Sequence, residues 1–162
     1  MKAIVAADRN WAIGYQGGLL VSIPGDHRMF RKETLNKVVV YGRKTLETFP
    51  LSQPLEKRTN IILSTNRSLS VKGAVVVHSI EELLDEARQY DTDDVYVIGG
   101  AAVYRQMLPY IDTAIVTKVD YEYHADVWFP NLDRDPDWVM AGEGEEQTYF
   151  DVPYTFVTYK RK

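Results

Sequence analysis

A chain of 162 residues with 45% apolar and 26% charged residues has the size and make-up of one soluble globular domain with a buried core. It contains no cysteine, which excludes a disulfide scaffold, a thiolate metal site and a cysteine nucleophile, and fits a reducing compartment such as the cytoplasm. A net charge of −4 without a long basic run argues against nucleic-acid binding, and the apolar start is too brief for a signal peptide or a membrane span.

Ile4-Val5-Ala6-Ala7 reads as a buried strand. Asp8 to Ser22 shows no period and holds Asn10, Gly14, Gly17 and Gly18 among Trp11, Ile13, Leu19 and Leu20. A loop of that length is usually functional, often a lid; the plainer alternative is a packed surface loop anchored by Trp11 and Ile13. Pro24 suits a helix start, because it lacks an N–H that the first turn would not use. A helix over Gly25–Thr34 sets Asp26, Met29 and Phe30 at i, i+3 and i+4 on one face. Burying an unpaired carboxylate costs on the order of several kcal/mol, so Asp26 on that stripe calls for a partner or a ligand. The alternative is an acid that merely favours the helix dipole.

Val38–Tyr41 is a second buried strand, followed by Gly42-Arg43-Lys44-Thr45 and a short helix through Leu46 and Phe49. After a loop punctuated by Pro50 and Pro54, Ile61–Leu63 is a third strand, closed by Ser64-Thr65-Asn66-Arg67, and Ala74–Val77 a fourth. Ser79 and Glu82 form a capping box for a helix with the apolar stripe Ile80, Leu83, Leu84 and Ala87. Val95–Ile98 is a fifth strand that runs into Gly99-Gly100; a helix over Ala101–Leu108 and a sixth strand, Ala114–Thr117, follow. Trp138–Met140 and Tyr154–Tyr159 make a final hairpin around an acidic turn at Glu143, Glu145 and Glu146. Eight strands without alternation, interleaved with about four helices, predict an α/β fold with a mostly parallel sheet covered on both faces and an antiparallel C-terminal strand. With no repeat, linker or low-complexity segment, residues 1–162 read as one domain.

Open α/β sheets bind ligands beyond the carboxyl ends of their strands. Three such ends are polar or glycine-rich here: Gly42-Arg43-Lys44-Thr45, Ser64-Thr65-Asn66-Arg67 and Gly99-Gly100. Taken singly, each is an ordinary solvated helix start or turn. Together they favour an anionic nucleotide, and Arg43, Lys44 and Arg67 suggest a 2′-phosphorylated dinucleotide. No G-x-G-x-x-G, P-loop or G-x-S-x-G is present. His27, His78 and His124 lack metal-ligand spacing, so no metal is expected. Asp26 remains the one ionisable group in an apolar setting, which suits chemistry driven by a cofactor.

In order and spacing the chain resembles dihydrofolate reductases over its length. The matching segments are Ala12-Ile13-Gly14, Ile23-Pro24-Gly25-Asp26, Phe30-Arg31-Lys32-Glu33-Thr34, Val40-Tyr41-Gly42-Arg43-Lys44-Thr45, Arg58-Thr59-Asn60-Ile61-Ile62-Leu63-Ser64, Val97-Ile98-Gly99-Gly100-Ala101-Ala102-Val103-Tyr104 and Asp126-Val127-Trp128-Phe129-Pro130. The resemblance implies that family's three-layer fold and NADPH-dependent reduction of 7,8-dihydrofolate. It implies that Asp26 binds the pterin and assists its protonation, with Thr117 in support. It further implies a pterin and nicotinamide floor of Ile4, Val5, Ala6 and Ile98, aromatic packing by Phe30 and Phe49, and Arg58 on the substrate's α-carboxylate. For NADPH it implies Ala6, Ile13, Gly42, Arg43, Lys44, Thr45, Leu63, Ser64, Thr65, Ile98 and a cis-linked Gly99-Gly100, continuing through Ala101, Ala102, Val103 and Tyr104. Asp8–Ser22 becomes a lid that Asp126 can steady. The chain departs from the family pattern at Leu20-Val21, where a Pro-Trp pair is usual, at Ala102, where some members carry arginine, and at Val127, where threonine is common. A monomer is expected, since no large apolar surface helix is left over. The related pyrimidine reductases of riboflavin synthesis normally lack the acid at Asp26; a nucleotide-binding relative without catalysis is the other alternative.

Overall fold

The computed structural model describes residues 1–162. In chain order its elements are β1 (Lys2–Ala7), β2 (Ala12–Tyr15), β3 (Gly18–Leu19), α1 (Pro24–Thr34), β4 (Val38–Gly42), α2 (Arg43–Glu47), β5 (Thr59–Leu63) and β6 (Ala74–Val77). There follow α3 (Ile80–Ala87), β7 (Val95–Gly99), α4 (Ala101–Met107), β8 (Thr113–Val119), β9 (Val127–Trp128), β10 (Trp138–Glu143), β11 (Gln147–Tyr149) and β12 (Val152–Arg161). Eight strands form one sheet in the order β10-β12-β8-β1-β7-β4-β5-β6, with the short β11 also paired to β12. The pairs from β8 to β6 are parallel, and β12 runs antiparallel to β8, β10 and β11.

The continuous apolar runs are explained by burial on both faces. Val38, Val40, Ile61, Val95, Val97 and Val116 face a main core that includes Leu83 of α3 and Val103, Tyr104 and Met107 of α4. Their neighbours Val39, Tyr41 and Ile62 face the other side, with Leu46 and the partly buried Phe49, Leu55 and Ile98. A third cluster of Ile23, Val119 and Tyr154 lies under the start of α1. Helix α1 opens on Pro24 without a side-chain cap. Tertiary bonds fasten it instead, among them Tyr96 Oη donating to Glu33 Oε2 at 2.9 Å. At α3 the Ser79 hydroxyl accepts from the Glu82 amide at 3.1 Å, but the Glu82 carboxylate takes the amide of His78 at 2.7 Å, so the predicted capping box is displaced by one residue.

Two expectations need correction. The Asp8–Ser22 segment is not structureless: β2 and β3 join β9 in a three-stranded antiparallel sheet. Gln16 and Gly17, at φ 50° and 81°, make the two-residue turn between β2 and β3, the twist that short hairpins favour. The acidic residues Glu143–Glu146 are not the tip of the C-terminal hairpin. They continue along β12, where the Gly144 amide bonds the Phe156 carbonyl at 2.9 Å, and the tip is Phe150-Asp151, both at positive φ.

One irregularity shapes the molecule. β1 pairs with β8 along its whole length, but with β7 only at Lys2↔Tyr96 and Ala3↔Val97. Past those pairs the two central strands part, and a cleft opens at their carboxyl ends.

Candidate active site

Asp26 stands in the first turn of α1 beside that cleft. Its carboxylate is half-buried, and Oδ1 accepts the Thr117 hydroxyl at 2.6 Å. Thr117 is fully buried at the centre of β8. Burial pushes the Asp26 carboxyl above its ordinary value of 3.8, while the Thr117 bond and nearby His27 oppose the rise by favouring the ionised form. His27 itself turns outward to Ser22 Oγ at 2.8 Å.

The β1–β8 register sets Ile4 beside Ile115 and Ala6 beside Thr117, so both face the Asp26 side. The side chain of Val5 points the other way, packed against the main core, so that it meets the cleft with its backbone. On the far wall, Ile98 is bulged out of register as β4 passes from Val40↔Val97 to Tyr41↔Gly99. Tyr104 bridges beneath the gap: its buried hydroxyl donates to the Ile4 carbonyl at 2.7 Å. Burial, with the Asp26 charge added, pushes that phenol well above its ordinary range, so it stays a neutral donor.

The rim nearest the C-terminal half of α1 carries Phe30, Phe49 and Arg58. Phe49 packs edge-on against Tyr41, with centroids 5.1 Å apart, and the Arg58 guanidinium lies 6.0 Å from the Phe30 ring centre. Arg58 donates only to neutral oxygens, Thr34 Oγ1 at 3.3 Å and the Glu56 carbonyl at 2.9 Å. Half-buried and repelled by Arg31, it is a cation without a counter-ion.

The opposite rim is built by the turns after β4, β5 and β7. Gly99-Gly100 is cis-linked, with Gly99 at φ +132°. A β-carbon on Gly99 or Gly100 would come within 3.4 Å or 3.6 Å of Thr45 Oγ1, so the shelf facing Thr45 is bare backbone. A β-carbon on Gly42 would meet Val103 Cγ2 at 3.2 Å, which shows how closely α4 abuts the β4–α2 turn. Ala102 and Thr65 are exposed, Ala101, Leu63 and Ser64 half-buried, and Ile13, in β2, is buried in the main core. Arg43 pairs with Glu47 and Arg67 loosely with Glu82 at 3.9 Å, which leaves Lys44 as the free cation of the predicted three. His78 Nδ1 meets the Ser64 carbonyl at 2.8 Å and braces this turn. The donors fit a phosphorylated dinucleotide: hydroxyls of Thr45, Ser64 and Thr65, cations at Arg43 and Lys44, and a side-chain-free shelf between them.

One buried acid, Asp8, escaped sequence reasoning. Asp8, only 2% exposed, accepts three backbone amides, from Asn10 at 2.8 Å, Ala12 at 2.9 Å and Tyr123 at 3.0 Å, and so pins the start of the Asp8–Ser22 segment. The Asp-x-Asn spacing signals an Asx turn, but nothing local announces the contact with Tyr123. The expected link to Asp126 is present, and it runs to the Gln16 amide at 3.0 Å, while the Asp126 amide bonds the Gly14 carbonyl at 3.0 Å. Val21 packs with the Ile23–Val119–Tyr154 cluster.

A parted parallel sheet with one acid at the opening, an unpaired arginine on one rim and a glycine shelf among cations on the other defines a cofactor-dependent α/β oxidoreductase. The dihydrofolate reductase family model matches residues 1–161. Similar proteins include the dihydrofolate reductases of Bacillus subtilis, 32% identical over 98% of this chain and 93% of that protein, and of Neisseria gonorrhoeae, 35% identical over 98% and 96%. A structure of Enterococcus faecalis dihydrofolate reductase complexed with NADP(H) and RAB-propyl superposes with a TM-score of 0.87 at 30% identity, covering 99% of this chain and 95% of that one. The chain belongs to the dihydrofolate reductase family, whose members are NADPH-dependent oxidoreductases. No helix is long and apolar enough to cross a membrane.

Proposed function

We propose that this protein reduces 7,8-dihydrofolate to 5,6,7,8-tetrahydrofolate with NADPH, and that Asp26 binds the pterin and assists its protonation. The observation that carries the reading is the Asp26–Thr117 pair at the mouth of the β1–β7 cleft. One carboxylate oxygen is engaged by Thr117; the other is free to accept from the N3 and 2-amino positions of a pterin. Burial makes this carboxyl hold a proton more readily than an exposed aspartate does, while Thr117 keeps the ionised form accessible. Such a group stabilises positive charge on the pterin and supports its protonation, which makes the ring a better hydride acceptor. Bound NADPH supplies the hydride. Arg43, Lys44, Thr45, Ser64 and Thr65 would hold its phosphates, and Gly99-Gly100 would admit it against the backbone. Arg58 would pair with the substrate's α-carboxylate, and Phe30 and Phe49 would pack its aromatic groups. The reading takes residues 1–162 as one domain, working as a cytoplasmic monomer.

The test is consumption of NADPH, followed by absorbance, with and without dihydrofolate. Oxidation that depends on dihydrofolate is expected. Its absence at every pH would overturn the activity, and an Asp26→Asn variant that turned over like the parent would overturn the role of Asp26.

A further inference from the structure

Glycine is the poorest ordinary residue in a helix, yet Gly25 stands in the first turn of α1, next to Asp26. The structure shows what excludes a larger residue. A β-carbon on Gly25 would lie 2.2 Å from Tyr154 Oη and 3.3 Å from Cζ, far inside contact distance. Tyr154 has little room to yield. It is 4% exposed, its ring meets Phe156 edge-on with centroids 5.7 Å apart, and it packs with Ile23 and Val119. Its hydroxyl donates to Gln147 Oε1 at 3.2 Å, which ties it to β11.

The β12–β8 register sets Phe156 beside Thr117 and Tyr154 beside Val119. Thr117 and Tyr154 therefore rise from one face of the sheet, two register steps apart, beneath the same helical turn. That turn has no side-chain cap at Ile23. Thr117 holds it at Asp26, and Tyr154 supports it at Gly25.

We propose that Tyr154 is a positioning residue for the reaction: by filling the space that Gly25 leaves, its hydroxyl sets the height of the first turn of α1, and so the place of the Asp26 carboxylate over Thr117. The proposal rests on the role given to Asp26 above. A displacement of about 1 Å in a reacting group can cost on the order of 100-fold in rate, so a β-carbon forced in at Gly25 is felt at the chemistry.

Gly25→Ala, Tyr154→Phe and the double variant of the full chain test this, with NADPH and dihydrofolate as ligands. Gly25→Ala is expected to lower kcat by about ten- to a hundredfold and to move the pH profile of hydride transfer, with the KM for NADPH little changed. Tyr154→Phe alone removes the hydroxyl that sets the height of the turn, so it should lower kcat by about three- to tenfold and move the same pH profile, and a parental kcat and pH profile for this variant overturns the proposal. The double variant should regain most of the loss, because removing the hydroxyl opens the space that the new methyl needs. Gly25→Ala with parental kcat and pH profile overturns the proposal. So does a double variant no better than Gly25→Ala, whether it falls short in folding or in turnover. Asp26→Asn, assayed alongside, separates the two readings. If it is impaired and the rescue fails, only the role of Tyr154 is wrong; if it turns over like the parent, the role of Asp26 is wrong and the proposal falls with it.

Discussion

Thr117 donates its hydroxyl to Asp26 at 2.6 Å, joining the centre of the sheet to the first turn of α1. A hydrogen bond to a charged group is worth about 1.5–3 kcal/mol. Thr117→Val keeps the shape and deletes the donor. The Asp26 carboxyl should then rise further above its ordinary range, because the influence lost is one that lowers it. The expected result is a fall in kcat/KM of about ten- to a hundredfold, with the pH profile of hydride transfer displaced upward. Rates measured across pH for both proteins check it.

Asp26 should also cost the free protein stability. Its folded value is raised by burial, so its favourable contribution is complete below the unfolded value near 3.8 and is lost as pH climbs through the folded value. Asp26→Asn carries no charge and can still accept from Thr117. It should therefore melt higher than the parent at pH 7, with a gap that narrows toward pH 4. Calorimetry without ligands checks this; an equal gap at both pH values would contradict it.

Arg58 invites a complementary test. It is half-buried, has no counter-ion and is opposed by Arg31. Arg58→Gln should leave the melting temperature unchanged or higher, and weaken dihydrofolate binding by about 2–3 kcal/mol with kcat nearly kept. On a dihydropterin that lacks the glutamate tail, the variant and the parent should behave alike.

The sequence made some of this legible. Pro24 located α1, and the helical spacing of Asp26, Met29 and Phe30 exposed an acid on an apolar stripe. Uninterrupted runs such as Val38–Tyr41 announced strands buried on both faces. Other features left little trace. The strands of the β3-β2-β9 sheet are two to four residues long, too short for any period, and only Gln16-Gly17 marks the β2–β3 turn. Phe150-Asp151 turns the C-terminal hairpin without glycine or asparagine, so the acidic run nearby drew the turn to itself. That Val5 faces the core while Ile4 and Ala6 face the acid depends on which sheet face the helices cover, which no strand states alone. The pairing of Gly25 with Tyr154 joins residues from opposite ends of the chain.

Asp8 is the clearest omission, and it can be tested. Both carboxylate oxygens are used, Oδ1 by Asn10 and Ala12 and Oδ2 by Tyr123. Asp8→Asn sets an amide donor against one of those N–H groups in a buried place. The expected loss is about 2 kcal/mol, or about 4–8 °C in melting temperature for a chain of this size. Hydrogen exchange should quicken at Asn10, Ala12 and Tyr123 before it changes in β4 or β5.

The parting of β1 from β7 after Ala3 and Val97 has a thermodynamic side. A sheet is normally closed by its own strands, and here two of the most central ones are left without each other for part of their length. Whatever occupies the gap binds the folded chain and not the unfolded one, so occupancy draws the folding equilibrium by mass action. A ligand at a hundred times its dissociation constant adds about 2.7 kcal/mol to stability. The amount of intact protein in a cell would then follow the supply of cofactor and substrate, and a tight inhibitor would raise protein abundance while it stops turnover.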